Sequence, residues 1–208
     1  MPSRSLSSVV LAGLAVAATV LASLPPAAAQ RSSGFDADER AALLAGELVR
    51  RDQSHREAGR MIYGGASWQR LDEPPERVWA RVTELRALTE LIPSVDDARV
   101  VHESGNERLV WIHHSYGIAE TAYHVHMRLD HARRTLSFEL DPSRPHDIDA
   151  GRGHLELTPY RGGTIVAWGM LVDPGPGLVM DLFGPMLSEW LLLPPRCLRD
   201  DLRGAPTC

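Results

Sequence analysis

The chain has 208 residues, 44% hydrophobic and 24% charged, which suits one globular domain with a sizeable core. All 22 basic residues are arginine, a bias that codon usage explains, and the net charge of -5 argues against nucleic acid or another polyanion as the main partner.

The first residues read as a targeting segment. Arg4 supplies a positive start, Val9 to Leu24 is nearly all Val, Ala and Leu, and Pro25-Pro26 breaks any helix. Ala27-Ala28-Ala29 before Gln30 fits a small-residue cleavage site. This predicts a secretory signal peptide over 1–29, with an uncleaved anchor as the alternative. The expected location is periplasmic or extracellular. No cysteine follows the apolar run, which argues against a lipoprotein. An exported chain can close a disulfide between its two cysteines, Cys197 and Cys208. Such a bridge would staple the tail; free thiols or an intermolecular bridge are the competing readings.

Residues 30–58 form a spacer with one short helix. Asp36 caps it, Glu39 completes a box-like pattern, and Gly46 is a stop that leaves Glu47 to Arg51 as an edge strand. "DQSHREAG" is expected as a loop. Arg60 to Leu71 alternates like a strand that Gly64-Gly65 interrupts. Asp72 is the expected N-cap of a helix opened by Pro74-Pro75, with Val78, Trp79 and Val82 as its apolar stripe. A second short helix spans Glu84 to Leu91, with Leu85, Leu88, Leu91 and Ile92 inward, and Pro93 stops it. The period then changes to two. Strands are predicted at Ala98 to Glu103, Arg108 to Ser115, Thr121 to Leu129, Thr135 to Leu140, Gly153 to Thr158 and Thr164 to Val172. A closing helix begins near Pro176, with Val179, Leu182, Phe183, Met186, Trp190 and Leu193 on one face and Asp181 and Ser188 on the other. Pro185 should kink it, and Pro194-Pro195 should break or restart it. A curved antiparallel sheet with an apolar face needs helices across it, so the fold class is α+β.

Two stretches carry a resemblance. "EPPERVWARVTELRALTELIPSVDDARVV" and, later, "GRGHLELTPYRGGTIVAWGMLVDPGPG" resemble the START, polyketide-cyclase and birch-pollen-allergen superfamily (SRPBCC, the helix-grip fold). The likeness spans residues 60 to 203, within a domain placed at 59–203 and followed by a tail at 204–208. Glu84, His154 and Pro194-Pro195 depart from the family pattern. The resemblance implies a curved sheet wrapped around a C-terminal helix, with a hydrophobic molecule between them. A coenzyme-Q-binding START-like or a polyketide cyclase/dehydrase-like member fits best.

Alternation assigns side chains to faces. Tyr123, Val125, Met127 and Leu129 share one face, and His124, His126 and Arg128 the other; the apolar set should line the cavity. On the preceding strand Leu109, Trp111 and His113 share one face and Val110, Ile112 and His114 the other, so either histidine can point inward. The expected ligand-contacting residues are Trp111, His113, Tyr123, Val125, Met127, Phe138, Trp168, Phe183, Met186 and Trp190. Met170 and Met180 add adaptable surface. "HVH" at 124 to 126 has metal-site spacing, but a solvent-facing pair is the plainer reading, and no metal or cofactor is expected. An inward histidine with Tyr123 is the best candidate for a catalytic pair, with no catalytic residue assigned. Three functions follow: a hydrophobic-ligand binding protein, a cyclase or dehydratase, or an interaction module with a collapsed cavity. The expected partner is a hydrophobic small molecule and not a nucleic acid; transient membrane contact and oligomeric state stay open.

Overall fold

The computed structural model describes residues 34–116, 119–176 and 186–205. The chain opens with helix α1 (Ala37–Leu44), then strands β1 (Val49–Asp52), β2 (His55–Glu57) and β3 (Arg60–Leu71). Two short helices follow, α2 (Pro75–Val82) and α3 (Ala87–Leu91). Six strands come next: β4 (Val95–Ser104), β5 (Glu107–Tyr116), β6 (Ala119–Asp130), β7 (Thr135–Leu140), β8 (Ala150–Tyr160) and β9 (Gly163–Asp173). Residues 186–191 form helix α4, and α5 (Pro194–Leu202) restarts after it. Pro194-Pro195 thus divides the closing helix, as the sequence predicts.

Local chemistry explains these elements. Asp36 accepts the Glu39 N–H at 2.8 Å, and the Glu39 carboxylate accepts the Asp36 N–H at 3.1 Å, a reciprocal cap that starts α1. The segment expected as a loop contains β2, whose three residues pair with Met61, Ile62 and Arg60 of β3. All three are exposed, so no apolar period marks them. Ala58 and Gly59, both at positive φ, make the tight turn between the strands. Gly64 and Gly65 do not interrupt β3; they bend it. At φ 124 and 158 they let it leave β2 and pair with β1 and β9. A Cβ on Gly64 would strike the Met170 carbonyl of β9.

The corner at Pro74-Pro75 also departs from expectation. Pro74, extended at ψ 148, is itself the N-cap of α2, and no side chain caps the helix. Asp72 instead pairs with Arg70 at 2.6 Å and Arg203 at 3.4 Å. The Thr164 hydroxyl donates to the Glu73 carbonyl at 2.7 Å and fixes the corner on β9. Pro75 then starts a helix whose Val78 and Trp79 are buried, with the Trp79 indole donating to His131 Nδ1 at 3.0 Å. Thr83 bonds back to the Trp79 carbonyl at 2.9 Å, and α3 begins only at Ala87. Leu85 therefore falls outside both helices and is exposed, against the expectation that it points inward.

The strands form one antiparallel sheet in the order β1-β3-β9-β8-β7-β6-β5-β4, with β2 on the first part of β3. α1 covers a small outer cluster of Leu43, Val49, Ala66 and Trp68, joined by Phe35. The main core fills the inner face, under α2, α3 and α5. Ser188 of α4 is buried and shares a 2.7 Å hydrogen bond with Ser54, so it does not lie on a solvent face. Trp168 of β9 donates its indole N–H to the Leu191 carbonyl at 2.7 Å, which fixes the end of α4 against the sheet.

Candidate functional site

A cavity of about 70 Å³ lies between the inner face of the sheet and the short helices. Its floor is Ile112 of β5, Tyr123, Val125 and Met127 of β6, Leu136 and Phe138 of β7, Leu155 of β8, and Val166, Trp168 and Met170 of β9. Its roof is Ala87, Leu88 and Leu91 of α3 with Ile92, and Pro194, Pro195 and Leu198 of α5. The only polar side chains in its lining, among the described residues, are His114 and Tyr123.

Those two are bonded to each other. His114 Nε2 and the Tyr123 hydroxyl lie 2.7 Å apart, and His114 Nδ1 and Ser94 Oγ lie 3.0 Å apart. Burial pushes the His114 pKa down to about 4, with Asp96 opposing this by less and His113 adding to it. The imidazole is thus neutral at physiological pH. Burial pushes the Tyr123 phenol up, so it stays protonated. Ser94 occupies the left-handed region at φ 67, where a non-glycine residue is uncommon.

The register decides the choice that alternation left open. Ile112 lies opposite Tyr123 and Val110 opposite Val125, so the even residues of β5 face the cavity. His114 is therefore the inward histidine. His113 and Trp111 sit on the other face and do not line the cavity, which corrects their expected placement. His113 pairs with Asp96 at 2.6 Å and stacks on Trp111, whose ring also carries the Arg99 guanidinium at 5.2 Å. This layer covers the outer face, which is why an apolar Trp can sit there. The bond to His113 holds the Asp96 carboxyl below its usual range.

Tyr123, Val125, Met127, Phe138, Trp168 and Met170 do line the cavity. Met186 and Trp190 of α4 do not; Phe183 and Met180 lie outside the described residues. His114, Ile112 and the α3 side chains were missed as contacts, although the stripe Leu88, Leu91 and Ile92 was visible. His124 and His126 stand on the outer face, bonded to the Pro145 carbonyl at 3.2 Å and to Asp141 at 3.1 Å. Cys197 is buried within α5, and Cys208 lies outside the described residues.

Arg81 holds the roof. Its guanidinium reaches Asp201 of α5 at 2.7 and 3.0 Å, Glu90 of α3, and Glu84 at 3.4 Å. Its bonds to the Asp201 carboxylate are the main reason its pKa is raised. No described helix is long and apolar enough to cross a membrane.

A curved antiparallel sheet, gripping short helices over an almost wholly apolar cavity, defines the class: α+β helix-grip proteins that enclose a hydrophobic space. The chain belongs to the polyketide cyclase / dehydrase and lipid transport family, whose model matches residues 69–192. Solved structures share the fold at low identity. A STAR-related lipid transfer protein fragment from Xanthomonas axonopodis has 17% identity and a TM-score of 0.57, covering 73% of this chain and 98% of that one. A Thermus thermophilus protein has 17% identity and a TM-score of 0.54, covering 67% of this chain and 91% of that one. A START superfamily protein from Mycobacterium smegmatis has 14% identity and a TM-score of 0.52, covering 68% and 99%. No curated protein matches the sequence.

Proposed function

We propose that this chain is an exported binding protein that carries a hydrophobic small molecule, such as a lipid, quinone or polyketide-like compound, between its sheet and its C-terminal helices. The observation that carries this reading is the cavity lining, apolar at every described position but two. Family membership and the fold shared with a protein named for lipid transfer support it. Export rests on the sequence of residues 1–29 alone.

Two observations favour other readings. The His114–Tyr123 pair, at 2.7 Å, has the contact a proton-transferring pair needs, which favours a cyclase or dehydratase. The cavity volume of about 70 Å³ falls well below the roughly 300 Å³ of a typical ligand pocket, which favours a collapsed interaction module. The test is to express the chain with its own leader, recover it from the exported fraction, and extract it into organic solvent for mass spectrometry. A stoichiometric apolar molecule, together with an intact mass beginning at Gln30, is the expected result. A chemically altered product appearing on incubation with the extracted molecule would select the enzyme. An empty protein that fails to take up any apolar probe would select the interaction module.

A further inference from the structure

The one polar end of the cavity says more about the ligand than the apolar remainder does. Ser94, His114 and Tyr123 form a hydrogen-bonded chain that ends at the cavity, with links of 3.0 and 2.7 Å. A neutral imidazole carries one N–H, and it can sit on either nitrogen. With the proton on Nδ1, His114 donates to Ser94 Oγ and accepts the Tyr123 O–H. The phenol oxygen then offers the cavity only lone pairs. With the proton on Nε2, His114 donates to the phenol oxygen and accepts from Ser94. The Tyr123 O–H is then free to donate into the cavity. Both arrangements keep the two hydrogen bonds of the chain, but the second leaves the Tyr123 O–H in need of an acceptor within the cavity.

Charge narrows the choice further. Among the described residues that line the cavity none carries a positive charge at neutral pH, since burial lowers the His114 pKa to about 4. An anion brought there would lose its hydration without a counter-ion. A pure hydrocarbon would leave the phenol's remaining bonding capacity unused in an apolar space.

We propose that the cavity takes an uncharged ligand with a hydrocarbon body and one hydroxyl or carbonyl oxygen, seated on the Tyr123 hydroxyl, with the His114 tautomer setting whether the phenol donates or accepts. This rests on the reading of the chain as a hydrophobic-ligand carrier. A carbonyl selects the Nε2–H tautomer. A hydroxyl fits either one.

The experiment compares hexanol, methyl butyl ketone, hexane and hexanoate at neutral pH, on the wild-type chain and Tyr123→Phe, by calorimetry. Hexanol and the ketone should bind about tenfold more tightly than hexane and hexanoate, the gain expected from one hydrogen bond. Tyr123→Phe should keep the hexane affinity, lose the preference for hexanol and the ketone over hexane, and still disfavour hexanoate. In the wild-type protein, nitrogen-15 spectra of labelled histidine should show His114 shifting to the Nε2–H tautomer on adding the ketone. That measurement decides the matter if Tyr123→Phe does not fold. If hexane binds as well as hexanol, if hexanoate binds most tightly, or if the ketone leaves the tautomer unchanged, the oxygen-recognition proposal is overturned and the carrier reading stands. If none of the four probes binds, the carrier reading itself fails.

Discussion

At the scale of single residues, His114 sets how the fold responds to acid. In the unfolded chain it titrates near its ordinary 6.5, and in the fold near 4. Between those values the unfolded chain holds a proton that the folded chain refuses. Its contribution to stability is therefore full above about pH 6.5 and is lost as pH falls toward 4. Going from pH 7 to pH 5, the loss is roughly 2 kcal/mol. His114→Gln keeps a polar side chain and removes the titration. Urea unfolding at the two pH values should show the wild type losing about 2 kcal/mol more than the variant. Equal losses would mean that His114 stays solvated. The sequence could not choose between His113 and His114, because both faces of β5 carry large apolar groups. The outer one, Trp111, stacks on His113 of its own strand and carries Arg99 of β4, and that cross-strand partner is not contained in alternation along one strand. Tyr123, Val125 and Met127 were legible because their opposite face is plainly polar.

At the scale of elements, what was legible follows the strength of the period. Strands β4 to β9 were expected in the right order, because turn residues separate them and β6 to β8 alternate apolar with polar residues. Strand β2 has no apolar residue to alternate. The end of α2 and the late start of α3 were set by Thr83 turning back on Trp79, a local bond that competes with the helix. Arg81, which the apolar stripe of α2 gives no reason to single out, is buried and joins α2, α3 and α5. Its carboxylate partners keep some solvent: the Asp201 side chain is 22% exposed and that of Glu90 is 42% exposed. Losing the cation should therefore cost about 2 kcal/mol, below the range for a fully buried pair. Arg81→Ala should show this loss in thermal or urea unfolding. Arg81→Lys should recover less than half of it, because an ammonium cannot bond both Asp201 oxygens from a fixed fork. Full recovery by Lys would reduce the cluster to simple charge balance.

At the scale of the whole molecule, the cavity and the proposed ligand differ in size, and the fold has to supply the difference. About 70 Å³ falls well below the roughly 300 Å³ of a typical ligand pocket. The floor cannot widen cheaply, since continuous antiparallel ladders from β5 to β9 would have to break hydrogen bonds. The roof is different. α3 has 5 residues and α5 has 9, each shorter than a helix that is stable alone, and Arg81 joins them. A ligand larger than the closed volume must therefore enter by lifting α3 and α5 while the sheet stays fixed. Amide hydrogen exchange tests this directly. In the free protein, α3 and α5 should exchange at least about tenfold faster than the central strands β8 and β9. Arg81→Ala should speed exchange in the two helices and leave β8 and β9 little changed. A bound apolar alcohol should slow exchange in the helices first, because it fills the space they close over. Uniform protection across helices and sheet, unmoved by Arg81→Ala, would describe a rigid, filled core, and the interaction-module reading would then account for the small volume better than a carrier does.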